Sequence, residues 1–202
     1  MGAQKVERAM AALAESAKQQ AHWTGESLRF TRNRGDGWQA VVHHPEGALR
    51  SALAFRASLK QLDAAYETYI SIATGPAPAE ISDDLNEMNA PIFVRSGRQL
   101  DLLKDRAHKD GVLIADWNWS CAASTAILAD CISQDWTPAQ AAAMLLYLNP
   151  YSDELTYTDA AEQLGKSRQV ITKSLKAAKK DAILKALFLL ESALRAAPQS
   201  DE

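Results

Sequence analysis

The side chains best suited to chemistry in this chain are basic, and they crowd into one short stretch. From Lys166 to Lys180 there are six of them, Lys166, Arg168, Lys173, Lys176, Lys179 and Lys180, with no acid in between. The whole chain carries a net charge of −3, so any attraction to a polyanion must be local to such a stretch. Guanidinium and ammonium groups neutralise phosphates, while Arg and Gln near the start of a helix can read base edges. The other candidates carry less. Asp36 stands in Arg34-Gly35-Asp36-Gly37, and its residue types suit a turn. His43 and His44 are adjacent near a strand end, so they point to opposite faces and do not converge on one metal. His22 and His108 stand alone. Cys121 and Cys131 lack both Cys-x-x-Cys spacing and a neighbouring histidine; they read as reduced, partly buried thiols in a reducing cytoplasm. No Ser-His-Asp order, phosphate loop or dinucleotide fingerprint is present. The residues therefore point to no catalytic group, no metal and no cofactor, and the expectation is a protein that is not an enzyme.

The elements that must position the basic residues are legible around them. Thr156 is a helix N-cap and Asp159 completes a capping box. The helix from Tyr157 to Leu164 puts Ala160, Ala161 and Leu164 on one side, and small alanines let a second helix cross closely. Gly165 occupies a left-handed turn position. Ser167 caps the next helix, in which Ile171 and Leu175 face inward. Arg168, Gln169, Thr172, Lys173 and Lys176 face outward, with Val170 at the edge. This is the order of a helix-turn-helix whose second helix reads DNA. The expected DNA-binding set is Lys166, Ser167, Arg168, Gln169, Thr172, Lys173, Lys176, Lys179 and Lys180. A supporting helix is expected over Trp136 to Leu148, started by Thr137-Pro138 and stopped by Asn149-Pro150.

Upstream, apolar spacing predicts a helix over Lys5 to Gln19. Strands are expected over Ser27 to Thr31 and Trp38 to His43, joined by an Asp36-Gly37 turn with positive φ at both residues. A helix follows over Pro45 to Leu62, with Leu49, Leu53, Leu59 and Leu62 on its apolar face. Tyr66 to Thr74 reads as a strand, Gly75 to Asp84 as disordered, Pro91 to Asp105 as a helix and Val112 to Ala115 as a strand. From Ser120 on, the pattern is helical. The fold class expected is an α+β N-terminal domain over 1–117 followed by an all-α helix-turn-helix domain over 118–198, with a disordered tail over 199–202. Trp38 and Trp117 read as packing residues. There is no run of apolar residues long enough for a membrane span and no signal-peptide core.

The segment Leu155 to Ala178 resembles the helix-turn-helix of sigma-factor region 4 and of many bacterial repressors, departing from them where Lys166 replaces the usual apolar residue after the glycine. More broadly, the chain resembles the SatD-like family, which pairs a degenerate nucleotide-cyclase or GGDEF-like domain with a C-terminal helix-turn-helix. The matching pieces are Gly35-Asp36-Gly37-Trp38-Gln39, Ile70-Ser71-Ile72-Ala73-Thr74-Gly75, Ala90-Pro91-Ile92-Phe93-Val94-Arg95-Ser96-Gly97 and the helix-turn-helix itself. The resemblance implies a ferredoxin-like or cyclase-like N-terminal fold. Its first strand, which in the family ends in Gly-Asp and supplies a second metal carboxylate, is missing here, because Met1 leads almost directly into a helix. Asp36 alone does not suffice for two-metal phosphate chemistry. The expectation is a sequence-specific regulator of transcription, of bacterial or phage origin, that binds double-stranded DNA. Its N-terminal domain would serve dimerisation, ligand sensing or partner docking. A nucleotide-cyclase-type enzyme and a sigma-like module contacting RNA polymerase are the alternatives. The last helix, with Ile183, Leu184, Leu187, Phe188, Leu189, Leu190 and Leu194, is apolar nearly all round and suggests a homodimer. Packing of that helix between two domains of one chain is the competing reading.

Overall fold

The computed structural model describes residues 2–24, 28–117 and 121–197. Ser27, the Asn118-Trp119 boundary, Ser120 and the tail expected over 199–202 lie outside the described residues. The fold is mostly helical with a small β content. Helices α1 (Ala3–Thr24), α2 (Ala48–Lys60) and α3 (Pro91–Asp110) alternate with strands β1 (Arg29–Arg32), β2 (Trp38–Val41), β3 (Ile70–Ile72) and β4 (Ile114–Asp116). Five helices follow: α4 (Cys121–Gln134), α5 (Pro138–Leu148), α6 (Tyr157–Leu164), α7 (Arg168–Ala177) and α8 (Lys180–Ala196).

The strands pair as two separate two-stranded sheets. β1 and β2 form an antiparallel hairpin with Arg29 opposite Val41 and Arg32 opposite Trp38. β3 and β4 run parallel, joined through α3, with Ile70 beside Ile114 and Ile72 beside Asp116. The strand expected over Tyr66 to Thr74 shortens to three residues, because β4 offers only three partners. The hairpin forms where expected, but its turn differs. Residues 33–37 make a five-residue loop closed by Asn33 N–H donating to the Gly37 carbonyl at 2.8 Å. Gly35 alone takes the left-handed conformation, at φ 70°, so Asp36-Gly37 is not a two-residue turn. The Arg32 guanidinium donates to the Gly35 carbonyl at 3.1 and 3.2 Å and fixes the loop. The stretch Gly75 to Asp84, expected to be disordered, is irregular but tied at its end: the Thr31 hydroxyl donates to the Asp83 carbonyl at 3.2 Å, and Asp83 pairs with Arg29.

Helix α2 is the axis of the molecule. An amphipathic helix with one leucine face was expected; instead, Leu49 and every residue from Ser51 to Lys60 are buried. The small side chains Ser51, Ala52, Ala54, Ala57 and Ser58 explain this, since they let neighbours close in from all sides. α1, α4 and α5 all pack against it. Most of its polar groups are answered inside, Arg56 Nη2 being the exception. Ser51 donates to Gln20, and Gln20 donates to Ser16 at 3.0 Å. Arg56, 2% exposed, meets Asp130 of α4 at 2.5 Å and donates to Ser133 Oγ at 2.8 Å. Burial pulls the Arg56 pKa below its ordinary value, and Asp130 opposes that pull. The hydrophobic core runs continuously from Ala9 in α1 to Leu190 in α8, across the position where a boundary between 1–117 and 118–198 was expected. Trp38 packs as expected, tilted on Phe55 at 4.8 Å and stacked near Phe30 at 6.0 Å, with its indole N–H on Thr68 Oγ1 at 3.1 Å. Cys121 and Cys131, expected to be partly buried, are both exposed thiols. Among the described residues no helix is long and apolar enough to cross a membrane.

Candidate nucleic-acid interface

Three helices build the site, and local sequence fixes each start and stop. α5 begins at a full capping box. The Thr137 hydroxyl accepts from Gln140 N–H at 3.3 Å, and the Gln140 side chain accepts from Thr137 N–H at 3.0 Å. α6 begins the same way: Asp159 N–H donates to Thr156 Oγ1 at 3.2 Å, and Thr156 N–H donates to the Asp159 carboxylate at 2.9 Å. These bonds from Thr156 hold the Asp159 pKa below the usual carboxylate range. Gly165 closes α6 in the left-handed region at φ 59°. Lys166 N–H then reaches back to the Ala161 carbonyl at 2.9 Å, a six-to-one bond that reverses the chain. Ser167 caps α7, its hydroxyl accepting from Val170 N–H at 3.3 Å.

α6 and α7 cross over Ala160 and Ala161, both buried, while Ile171 and Leu175, each 1% exposed, drive α7 into the core. The opposite face of α7 is free. Arg168, Gln169, Thr172, Lys173 and Lys176 are exposed on it, and Ser167 and Lys166 are exposed at its start. None of the basic members of this face takes part in an ion pair with another described residue. The Thr172 hydroxyl donates to the Arg168 carbonyl at 2.9 Å, which spends its proton, while the residue stays exposed. Lys179 is exposed between α7 and α8, in a left-handed conformation at φ 60°.

Lys180 is placed differently from the rest of the expected set. Its ammonium lies 4.8 Å from the Tyr147 ring centre and 5.1 Å from that of Tyr157, and its side chain is 16% exposed. The two rings meet edge to face at 5.9 Å. Burial works to lower the Lys180 pKa, but its bond to Tyr157 and the nearby Asp181 prevail, and the net shift is upward. Burial also raises the Tyr147 pKa. Lys180 thus clamps α8 to α5 and α6 instead of joining the α7 face. Trp136, 2% exposed, makes a second clamp with its indole N–H on the Ala178 carbonyl at 3.1 Å. Sequence reasoning missed both roles for these aromatic residues. The available signal was the placement of Trp136, Tyr147 and Tyr157 at the helix boundaries flanking the motif.

The remaining candidates do not assemble. Asp36 is exposed in the hairpin loop, and His43 and His44 are exposed just beyond β2. Among the described residues no group of three or more His, Cys, Asp or Glu side chains is placed to hold a metal ion. Comparison of the chain with protein-family models, with curated proteins and with solved structures found no match.

Proposed function

We propose that this protein is a sequence-specific DNA-binding regulator of transcription, with α7 as its recognition helix and no enzymatic activity. One observation carries the reading: α7 is sharply two-faced, with Ile171 and Leu175 in the core and Arg168, Gln169, Thr172, Lys173 and Lys176 outside. It also follows a short capped helix and a left-handed glycine turn. In such a unit the first turn of the second helix meets base edges and basic residues further along meet phosphates. Arg168 and Gln169 have the fork and amide geometries that suit guanine and adenine. The Thr172 methyl suits a thymine methyl. Lys166, Lys173, Lys176 and Lys179 serve the phosphates.

The N-terminal part is read as the dimerisation or sensing half of the regulator. Its kinship to a cyclase-like domain of the SatD-like type rests on the hairpin at Gly35-Asp36-Gly37, the Ile70–Ile72 strand and the helix starting at Pro91. A homodimer is the proposed assembly. Phe188, Leu189 and Leu194 of α8 remain exposed, although the other side of that helix is used within the chain. The exposed thiols Cys121 and Cys131 suit a reducing cytoplasm.

The test is a titration of the unmodified protein, Arg168→Ala, Gln169→Ala and Lys176→Ala against a duplex selected from a random pool and against random duplex. Arg168→Ala and Gln169→Ala are expected to lose about 1–3 kcal/mol on the selected site only. Lys176→Ala is expected to weaken both duplexes alike and to lower the salt slope by about one. Unchanged affinity in all three variants, or no duplex selected at all, would end this reading.

A further inference from the structure

α7 carries three large apolar side chains, and the core takes only two of them. Ile171 and Leu175 are each 1% exposed, whereas Val170 is 43% exposed. A single exposed valine is ordinary on a protein surface, so the exposure alone says little; the place on the helix says more. With about 3.6 residues per turn, each residue is rotated by about 100° from the last. When the mean direction of Ile171 and Leu175 is inward, Lys173 stands diametrically opposite. Gln169 lies about 40° from that outermost line and Val170 about 60°. Thr172 lies about 100° away, on the flank. Val170, which the sequence pattern puts at the edge of the face, is thus closer to its middle than Thr172. Its backbone is held there by the cap of α7, since Val170 N–H donates to the Ser167 hydroxyl at 3.3 Å. Valine in a helix takes one side-chain rotamer almost always, so its methyl groups are fixed in direction before anything binds. Helix stability alone would favour alanine at this position.

The apolar group that a base edge offers in the major groove is the C5-methyl of thymine. Arg168, Gln169 and Lys173, the exposed neighbours of Val170 on this face, end in polar groups and do not select it. We propose that Val170 reads the C5-methyl group of one thymine in the DNA site and so sets a preference for thymine at that position. The inference rests on the DNA-binding reading above and adds to it the residue that discriminates a methyl group. Because the contact neutralises no phosphate, its contribution is the same at every salt concentration, unlike that of Lys176.

The experiment uses the full-length protein and the duplex it selects from a random pool. Each thymine of that duplex is replaced in turn by deoxyuridine, which pairs in the same way and lacks only the methyl. The unmodified protein, Val170→Ala and Thr172→Ser are titrated against the series. For the unmodified protein, one replacement is expected to weaken binding by about fourfold, the effect of leaving one CH2-sized group unburied. Thr172→Ser, which loses a methyl and keeps its hydroxyl, is expected to show the same loss at the same position. Val170→Ala is expected to bind the thymine and deoxyuridine duplexes alike at that position, while melting no lower than the unmodified protein. A penalty that survives in Val170→Ala, or that also disappears in Thr172→Ser, overturns the proposal. So does a selected duplex in which every thymine can be replaced without loss, an outcome that leaves DNA binding itself standing. If no duplex is selected at all, the DNA-binding reading falls and this assignment falls with it.

Discussion

Lys179 is the only non-glycine residue among those described with a left-handed backbone. A side chain in that region crowds the following carbonyl at a cost of about 1–2 kcal/mol. Glycine there would relieve the crowding but would enlarge the freedom of the unfolded chain. Lys179→Gly is therefore expected to raise stability by less than about 1 kcal/mol, seen as a higher urea midpoint at unchanged slope. DNA affinity should fall in the same variant, through one lost phosphate contact. A lower midpoint would show that the lysine side chain itself supports the α7–α8 corner. At this scale the sequence was most legible where an interaction closes within four residues. The Thr156–Asp159 box, the Gly165 turn and the Ser167 cap are all local, and local residue types specify them. The packing of Lys180 was not legible because its partners Tyr147 and Tyr157 lie 33 and 23 positions away, and no helical spacing brings them to notice.

The elements were legible in type and less so in depth. Apolar periodicity marks α2 as a helix, but a leucine count cannot show that its serines and alanines are also enclosed. Nor does spacing reveal that Arg56 finds Asp130, because the two are joined only when α4 packs on α2. Asp130 does more than pair with Arg56. Its carboxylate accepts from Leu113 N–H at 2.9 Å and from Ile114 N–H at 3.1 Å, and so holds the entry to β4. Gln134 donates to the same carboxylate at 2.8 Å. Removing it strands a buried guanidinium and two backbone donors together. Asp130→Ala is expected to cost about 3–5 kcal/mol, the range for breaking a buried pair from one side, measured by urea unfolding. A loss under about 1 kcal/mol would mean that water replaces the carboxylate, as at an exposed pair. The strands were harder to read for a related reason. Their existence follows from β-branched and aromatic runs, but pairing between β3 and β4 depends on α3 carrying the chain across, which no local pattern encodes.

At the scale of the whole molecule, α8 decides two questions at once. Its inner side buries Ile183, Leu187 and Leu190, and Glu191 receives Arg50 in a two-pronged bond of 2.6 and 3.0 Å. Arg50 belongs to α2, so the last helix is bolted to the second helix from the other end of the chain. That inner packing accounts for part of the apolar surface, as the competing reading of the sequence has it. The outer residues Phe188, at 57% exposure, and Leu189, at 54%, stay exposed and are the surface the proposed dimer would use. Light scattering at micromolar concentration should give twice the mass of one chain, and Phe188→Glu should return it to one. A single-chain mass for the unmodified protein would sink the dimer, and a dimer that survives Phe188→Glu would remove α8 from its interface. The Arg50–Glu191 bolt and the all-round burial of α2 have a further consequence, for modularity. Helix-turn-helix units are commonly thought of as cassettes that can be cut out and grafted elsewhere. Here α5 rests on α2, and α8 carries a carboxylate whose guanidinium lies far upstream. A fragment spanning 118–202 would carry every residue of the proposed DNA-binding face but would expose the surface that α2 covers. It is expected to show no cooperative melt by circular dichroism, whereas the full chain is expected to melt as one unit. The proposed reading head is thus expected not to be a part that can be borrowed.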